Sequence, residues 1–116
     1  MLRIDHRYGH AAPVSPVFFT IASRNYLAYA TTLLQSLAAC CPHAKRYLVL
    51  ADRDDGDPML AGTLFATIPV EALGLPDFDA FAFRYDIVEF NTAIKPYAFA
   101  HLRRLHPDAG IVYLDP

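Results

Sequence analysis

Five side chains stand where chemistry could be done. Asp115 follows the apolar run Ile111-Val-Tyr-Leu114, which Gly110 opens and Pro116 closes. A short apolar run with a β-branched start predicts a strand buried on both faces, and proline prevents its ordinary continuation. The Asp115 carboxylate is thereby placed at the carboxyl end of a buried strand, the edge of an open α/β sheet where ligands bind. Asp52 ends a second such run, Arg46-Tyr-Leu-Val-Leu-Ala51. Ser23 and Asn25 lie in the turn after a third, Val17-Phe-Phe-Thr-Ile-Ala22. Lys95 precedes Pro96 in an amphipathic segment. A strand-end aspartate can hold a divalent cation, and such a cation can neutralise a bound diphosphate.

The elements that position these groups follow from periodicity. Residues 17–22 predict the first buried strand, and Ser23 or Asn25 can cap the helix after it. That helix runs to about Cys41 on a stripe of Tyr26, Ala30, Leu33, Leu34, Leu37 and Cys41, and Pro42 ends it. Residues 46–51 predict the second strand. Residues 64–70 predict a shorter third strand, which Pro69 confines to an edge, with a single turn over 71–75. Asp77 can cap a short aromatic helix presenting Phe78, Phe81 and Tyr85, rings that read as core. The segment from Glu89 leads into a helix reaching His106, buried through Ile94, Tyr97, Ala98, Leu102 and Leu105, with Pro96 in its first turn or kinking it.

The order strand, helix, strand, strand, helices, strand predicts an α/β, Rossmann-like, mostly parallel sheet flanked by helices. An order of 3-2-1-4 across the sheet would make strands one and four neighbours and the crevice between them the switch point. Residues 20–26 would form one wall and Asp115 the other. Residues 1–15 read as an N-terminal tail and residues 16–116 as the folded unit.

Composition excludes several classes. Hydrophobic residues make up 54% of the 116, which argues against disorder. Ten basic and 12 acidic side chains give a net charge of -2, with no basic excess for nucleic acid. No stretch approaches a membrane span or the apolar core of a signal peptide. The only cysteines, Cys40 and Cys41, are adjacent, so a disulfide framework is not expected and a reducing, cytoplasmic setting is favoured. Asp52, Asp54, Asp55 and Asp57 crowd one loop without the alternation of a calcium loop. His6 and His10 are four apart, but Gly9 and Pro13 make a metal-binding helix there poor. The first strand-to-helix turn, Ala22-Ser-Arg-Asn25, has no glycine for a dinucleotide, and no phosphate-cradling lysine loop is present.

Five pieces in order carry a resemblance: Phe19-Thr-Ile-Ala-Ser-Arg-Asn-Tyr26, Leu33-Leu-Gln-Ser-Leu37, Cys41-Pro-His43, Glu89-Phe-Asn-Thr-Ala-Ile-Lys-Pro96 and Val112-Tyr-Leu-Asp-Pro116. Together they resemble the nucleotide-binding half of GT-A glycosyltransferases, the nucleotide-diphospho-sugar transferases related to the family-8 group. The resemblance implies a metal-dependent transfer of sugar from a nucleotide-diphosphate donor, UDP-sugar favoured, to an acceptor hydroxyl. It implies that Thr20, Ala22, Ser23, Asn25 and Tyr26 hold base and ribose. It places Lys95 near the phosphates or donor sugar, the alternative being a solvent-facing helix lysine. Asp52 would help hold the nucleotide, or simply end its strand. Asp115 matches the first aspartate of an Asp-x-Asp motif binding Mn2+ or Mg2+, the alternative being a strand-ending turn residue.

The motif's second aspartate would follow Pro116, so the cation site is expected to be incomplete and the 116-residue chain inactive by itself. The competing reading is a noncatalytic nucleotide-binding or assembly module, self-associating through an unfinished sheet edge, or a nonfunctional fragment.

Overall fold

The structure, a computed structural model, describes residues 15–52, 58–60, 62, 64–75 and 87–116. Strand β1 is Val17–Ala22, a 3-10 turn spans Arg24–Tyr26, and helix α1 is Leu27–Cys40. Strand β2 is Lys45–Leu50 and strand β3 is Ala66–Pro69. Helix α2 is Ile87–Leu105, and strand β4 is Ile111–Tyr113. The four strands form one all-parallel sheet in the order β3-β2-β1-β4. That is the architecture the element order predicts.

β1 is buried because it lies inside the sheet with a helix on each face. Val17, Phe19 and Ile21 join the cluster under α2, with Phe90, Ile94, Ala98 and Leu102. Ala22 and Phe18 join the cluster under α1, with Leu27, Ala30, Leu34, Leu37, Leu48 and Leu50. The period of two along the strand sends alternate side chains to opposite layers. Each such aliphatic side chain contributes about 1.5–3 kcal/mol through its burial.

Several boundaries differ from the expectations. Neither Ser23 nor Asn25 caps α1: a 3-10 turn intervenes, Tyr26 is the N-cap residue, and no side-chain cap bond forms there. The extra turn rotates Tyr26 out of the apolar stripe to 52% exposure, and Leu27 takes its place in the core. α2 starts by Ile87, so Pro96 lies inside the helix rather than in its first turn. Leu105, expected in the core, is 53% exposed in the last turn. β4 is an edge strand pairing only with β1 among the described residues, and Val112 is exposed on it, so it is not buried on both faces. β3 is the other edge, as Pro69 predicts, and it is shorter than the expected 64–70. A 3-10 turn over Val70–Leu73 follows it, and Gly74 closes that turn at φ 75, a conformation that favours glycine. The readings of His6, His10, Asp54, Asp55, Asp57 and the aromatic segment with Phe78, Phe81 and Tyr85 lie outside the described residues.

Two arginines fix the amino edge. The Arg46 guanidinium donates to the carbonyls of Leu64, Cys41 and Ala44, tying the end of α1 to the approach of β3. Arg103 donates to the carbonyls of Pro107 and Ala109, closing the turn that delivers β4. The Tyr47 hydroxyl lies 2.7 Å from His106 Nε2 and joins β2 to the end of α2.

Phe19 is the strongest single anchor, 1% exposed and packed edge-on against Phe99 at 4.9 Å and tilted against Tyr113 at 5.2 Å. Phe19→Ala is expected to cost about 3–5 kcal/mol in urea unfolding. Leu105→Ala should stay within about 0.5 kcal/mol; equal losses would show that α2 packs through a different face.

Candidate functional site

The carboxyl edge of the sheet opens beside β1 and β4. The last β1 residues, Ile21 and Ala22, form the floor of a cleft of about 340 Å³. Tyr26 reaches it from the turn before α1, Asn91, Thr92 and Lys95 from α2, and Tyr113, Asp115 and Pro116 from the end of β4. That volume is at the low end of ligand-sized clefts, roughly 300–1,000 Å³. The location is the switch point at which α1 and α2 cover opposite faces of the sheet.

Pairing positions the β4 side of the cleft. Phe19 lies opposite Tyr113, and the backbone bond from Leu114 N to the Phe19 carbonyl at 2.9 Å carries the alignment one residue further. Tyr113 and Asp115, two apart, fall on one side of the chain. The Tyr113 hydroxyl donates to Asp115 Oδ1 at 3.2 Å. On α2, Asn91 and Lys95 are four apart and share a face. Lys95 Nζ lies 4.2 Å from the centre of the Tyr113 ring, a cation–π contact. The Asn91 Oδ1 is buried and finds no hydrogen-bond partner among the described residues.

Burial pushes the Tyr113 phenol up to about 12, with smaller contributions from the Asp115 charge and the hydrogen bond to it. The phenol is therefore protonated at neutral pH and serves as a donor. The site combines one ammonium, one carboxylate, a neutral phenol, an unsatisfied amide oxygen and the half-exposed Tyr26 ring. It can pair with an anion through Lys95, accept from a hydroxyl or amide through Asp115, and stack on Tyr26.

The structure brings together four of the residues singled out in the sequence: Ala22, Tyr26, Lys95 and Asp115. Lys95 lines the cleft and is half-buried rather than facing solvent. Thr20, Ser23, Asn25 and Asp52 are not among the lining residues. Thr20 is fully buried within β1, and its hydroxyl is without a partner among the described residues, as is that of Ser23. Asn25 is exposed in the 3-10 turn. Asp52 has a contact within the fold. Its Oδ2 accepts the Arg24 backbone N–H at 2.5 Å, so the end of β2 holds the turn that follows β1. It supplies from a distance the bond that a local cap would have made. Tyr113 and Asn91 received no role from the sequence. The spacings Tyr113 to Asp115 and Asn91 to Lys95 were the available signals, at strand and helix periods respectively.

The described donors do not compose a cation site. No three His, Cys, Asp or Glu side chains gather among the described residues, and Asp115 is a single carboxylate in the cleft. Magnesium takes six ligands, usually mostly water with one or two carboxylates plus phosphates, and one exposed carboxylate does not fix such an ion.

Fold and edge define the class: an α/β, Rossmann-like protein with an all-parallel four-stranded sheet and a polar cleft at its switch point. Comparison with protein-family models, with curated proteins and with solved structures gives no match. No described helix is long and apolar enough to cross a membrane.

Two outcomes follow from this geometry. Tyr113 should be the last of the described tyrosines to ionise in a tyrosinate absorbance titration. Its folded value lies above the unfolded one, so its stabilising contribution is intact below pH 10 and is lost as pH rises from about 10 to about 12. Asp115→Asn should lower that value only partway, since desolvation is the larger cause; a return to about 10 would make the carboxylate the dominant one. For Asp52, replacement by Ala should cost roughly 1 kcal/mol in urea unfolding, the usual effect of losing a carboxylate that caps a turn. An unchanged midpoint would remove Asp52 from the turn.

Proposed function

We propose that this chain binds a nucleoside diphosphate sugar at the cleft between β1 and β4, as the nucleotide-binding half of a GT-A-type glycosyltransferase. The observation that carries the reading is the placement of Lys95, Asn91 and Asp115 around one switch-point cleft with the Tyr26 ring at its mouth. The ring supplies a face for the base, Asp115 supplies acceptors for ribose or sugar hydroxyls, and Lys95 supplies the cation for a phosphate. The resemblance over residues 17–116 selects this ligand class among those the polar groups could take.

Charge sets the expected strength. Among the lining side chains the charges of Lys95 and Asp115 oppose one another. A diphosphate meets attraction from the ammonium and repulsion from the carboxylate. A bound divalent cation would reverse the second effect by giving Asp115 and the phosphates a common partner, which is the chemistry such an ion supplies in diphosphate departure. Asp115 alone does not fix one, so manganese is expected to strengthen binding little. Within this chain, Tyr113 keeps Asp115 oriented by donating to Oδ1, and its ring holds the Lys95 ammonium beside the cleft.

The test is a two-dimensional NMR titration of the 116-residue chain with uridine diphosphate. Backbone signals of Ala22, Tyr26, Asn91, Lys95 and Tyr113 should shift at millimolar ligand, more with the diphosphate than with uridine. Lys95→Met should weaken binding on the order of ten-fold, the effect of losing one charge-assisted hydrogen bond. Shifts confined to the amino edge of the sheet, or none at all, would rule this site out as the nucleotide site. Equal affinity for uridine and its diphosphate would detach Lys95 from a phosphate role.

A further inference from the structure

The two cysteines lie across the sheet from the cleft. α1 leaves the carboxyl edge after β1 and ends at Cys40, and β2 begins at Lys45, so the pair sits at the amino edge. Both thiols are free, Cys40 is exposed, and Cys41 is half-buried. Their Sγ atoms are 3.4 Å apart.

Neighbours on a continuing helix point about 100° apart. Here the helix stops between them. Cys41 is the C-cap residue at φ -132 and ψ 65, outside the helical region, which brings the two sulfurs together. The backbone around Cys41 is tied on both sides: its N–H donates to the Leu37 carbonyl at 2.7 Å, and its own carbonyl accepts from Arg46 at 3.2 Å. Arg46 is held in turn by the Ala44 and Leu64 carbonyls. The sulfur pair is thus presented by a fixed backbone.

We infer that Cys40 and Cys41 form a vicinal dithiol site that captures one soft, thiophilic metal or metalloid centre through both sulfurs. Two sulfurs on one tetrahedral ion at a metal–sulfur distance of ~2.3 Å stand about 3.8 Å apart, and a pyramidal trivalent centre with narrower angles brings them closer. The observed separation needs little adjustment to either. Thiolates select soft centres over magnesium or calcium. The hydrogen bond with Cys40, with a smaller effect of burial, raises the Cys41 thiol above its ordinary value. With an aryl arsenic(III) oxide, two S–H bonds break and two As–S bonds form. The oxide oxygen leaves as water with both protons, and no oxidation state changes.

The experiment uses phenylarsine oxide and the whole chain, read by intact mass and by binding titration. The expected result is one arsenical per chain, retained in excess 2-mercaptoethanol and removed by 1,2-ethanedithiol. Cys40→Ser and Cys41→Ser should each weaken binding by at least about 100-fold, the loss that accompanies conversion of two-point to one-point attachment. Thermal unfolding checks that each variant folds, and Cys40→Ser decides alone if Cys41→Ser does not, because Cys40 is exposed at the helix end. Two arsenicals per chain, an adduct stripped by the monothiol, or wild-type affinity in Cys40→Ser would overturn the assignment.

Discussion

Tyr113 lies opposite Phe19 because β4 pairs with β1 in a single parallel register, and the cleft at the carboxyl edge depends on that alignment. A strand displaced by one residue presents every side chain to the other face of the sheet. Displacement here would turn Tyr113 away from Phe19 and Lys95 and turn the exposed Val112 into the layer under α2. The pairing is short, three residues in the strand, yet both ends are held. Val17 N donates to the Gly110 carbonyl and Leu114 N to the Phe19 carbonyl. The aromatic contact of Tyr113 with Phe19 adds a side-chain preference for the same alignment. Arg103, by bonding the carbonyls of Pro107 and Ala109, sets the angle at which the chain enters β4.

That alignment makes Tyr113 a hinge between two charges. Its ring faces the Lys95 ammonium and its hydroxyl faces the Asp115 carboxylate. A lysine and an aspartate free to meet directly would neutralise each other and leave little for a ligand. Interposed between them, the phenol satisfies each by a weaker contact than an ion pair, and both remain available to a third group. The phenol is a donor at neutral pH, as an ordinary tyrosine is, and burial moves its ionisation further away, up to about 12.

Much of the fold was legible from periodicity. The runs at 17–22 and 46–51 have the composition of strands covered on both faces, and Ala30, Leu34 and Leu37 mark the buried side of α1 without ambiguity. The switch-point position of Asp115 was conditional on a strand order of 3-2-1-4, and the sheet has that order. The missed details share a physical origin: they are fixed by contacts distant in sequence. The 3-10 turn before α1 is held by Asp52, 28 residues from Arg24, so local cap residues pointed to a start that the tertiary bond displaced. Tyr26 was drawn into the apolar stripe by spacing counted from that start, and the shift of one residue exposed it. Pro96 inside α2 could not be decided locally either, because tertiary packing of Ile94 and Ala98 carries the helix past it. Asn91 and Tyr113 became visible as site residues only when α2 and β4 were placed side by side.

Three polar atoms near this edge carry a cost that packing alone does not explain. The hydroxyls of Thr20 and Ser23 and the Asn91 amide oxygen are buried without partners among the described residues. Each such group costs about 1–3 kcal/mol relative to a satisfied one. They differ in what they face. Thr20 is wholly enclosed, and a valine would fill almost the same space without burying a hydroxyl. Ser23 sits at the junction of β1 and the 3-10 turn, where its backbone carbonyl accepts from Tyr26 N and its side chain faces inward. Of the three residues only Asn91 lines the cleft, and its Oδ1 is enclosed in the cleft wall rather than presented to the open space. Relieving that atom takes a donor that enters the wall, and an apolar group of equal size would leave the cost in place.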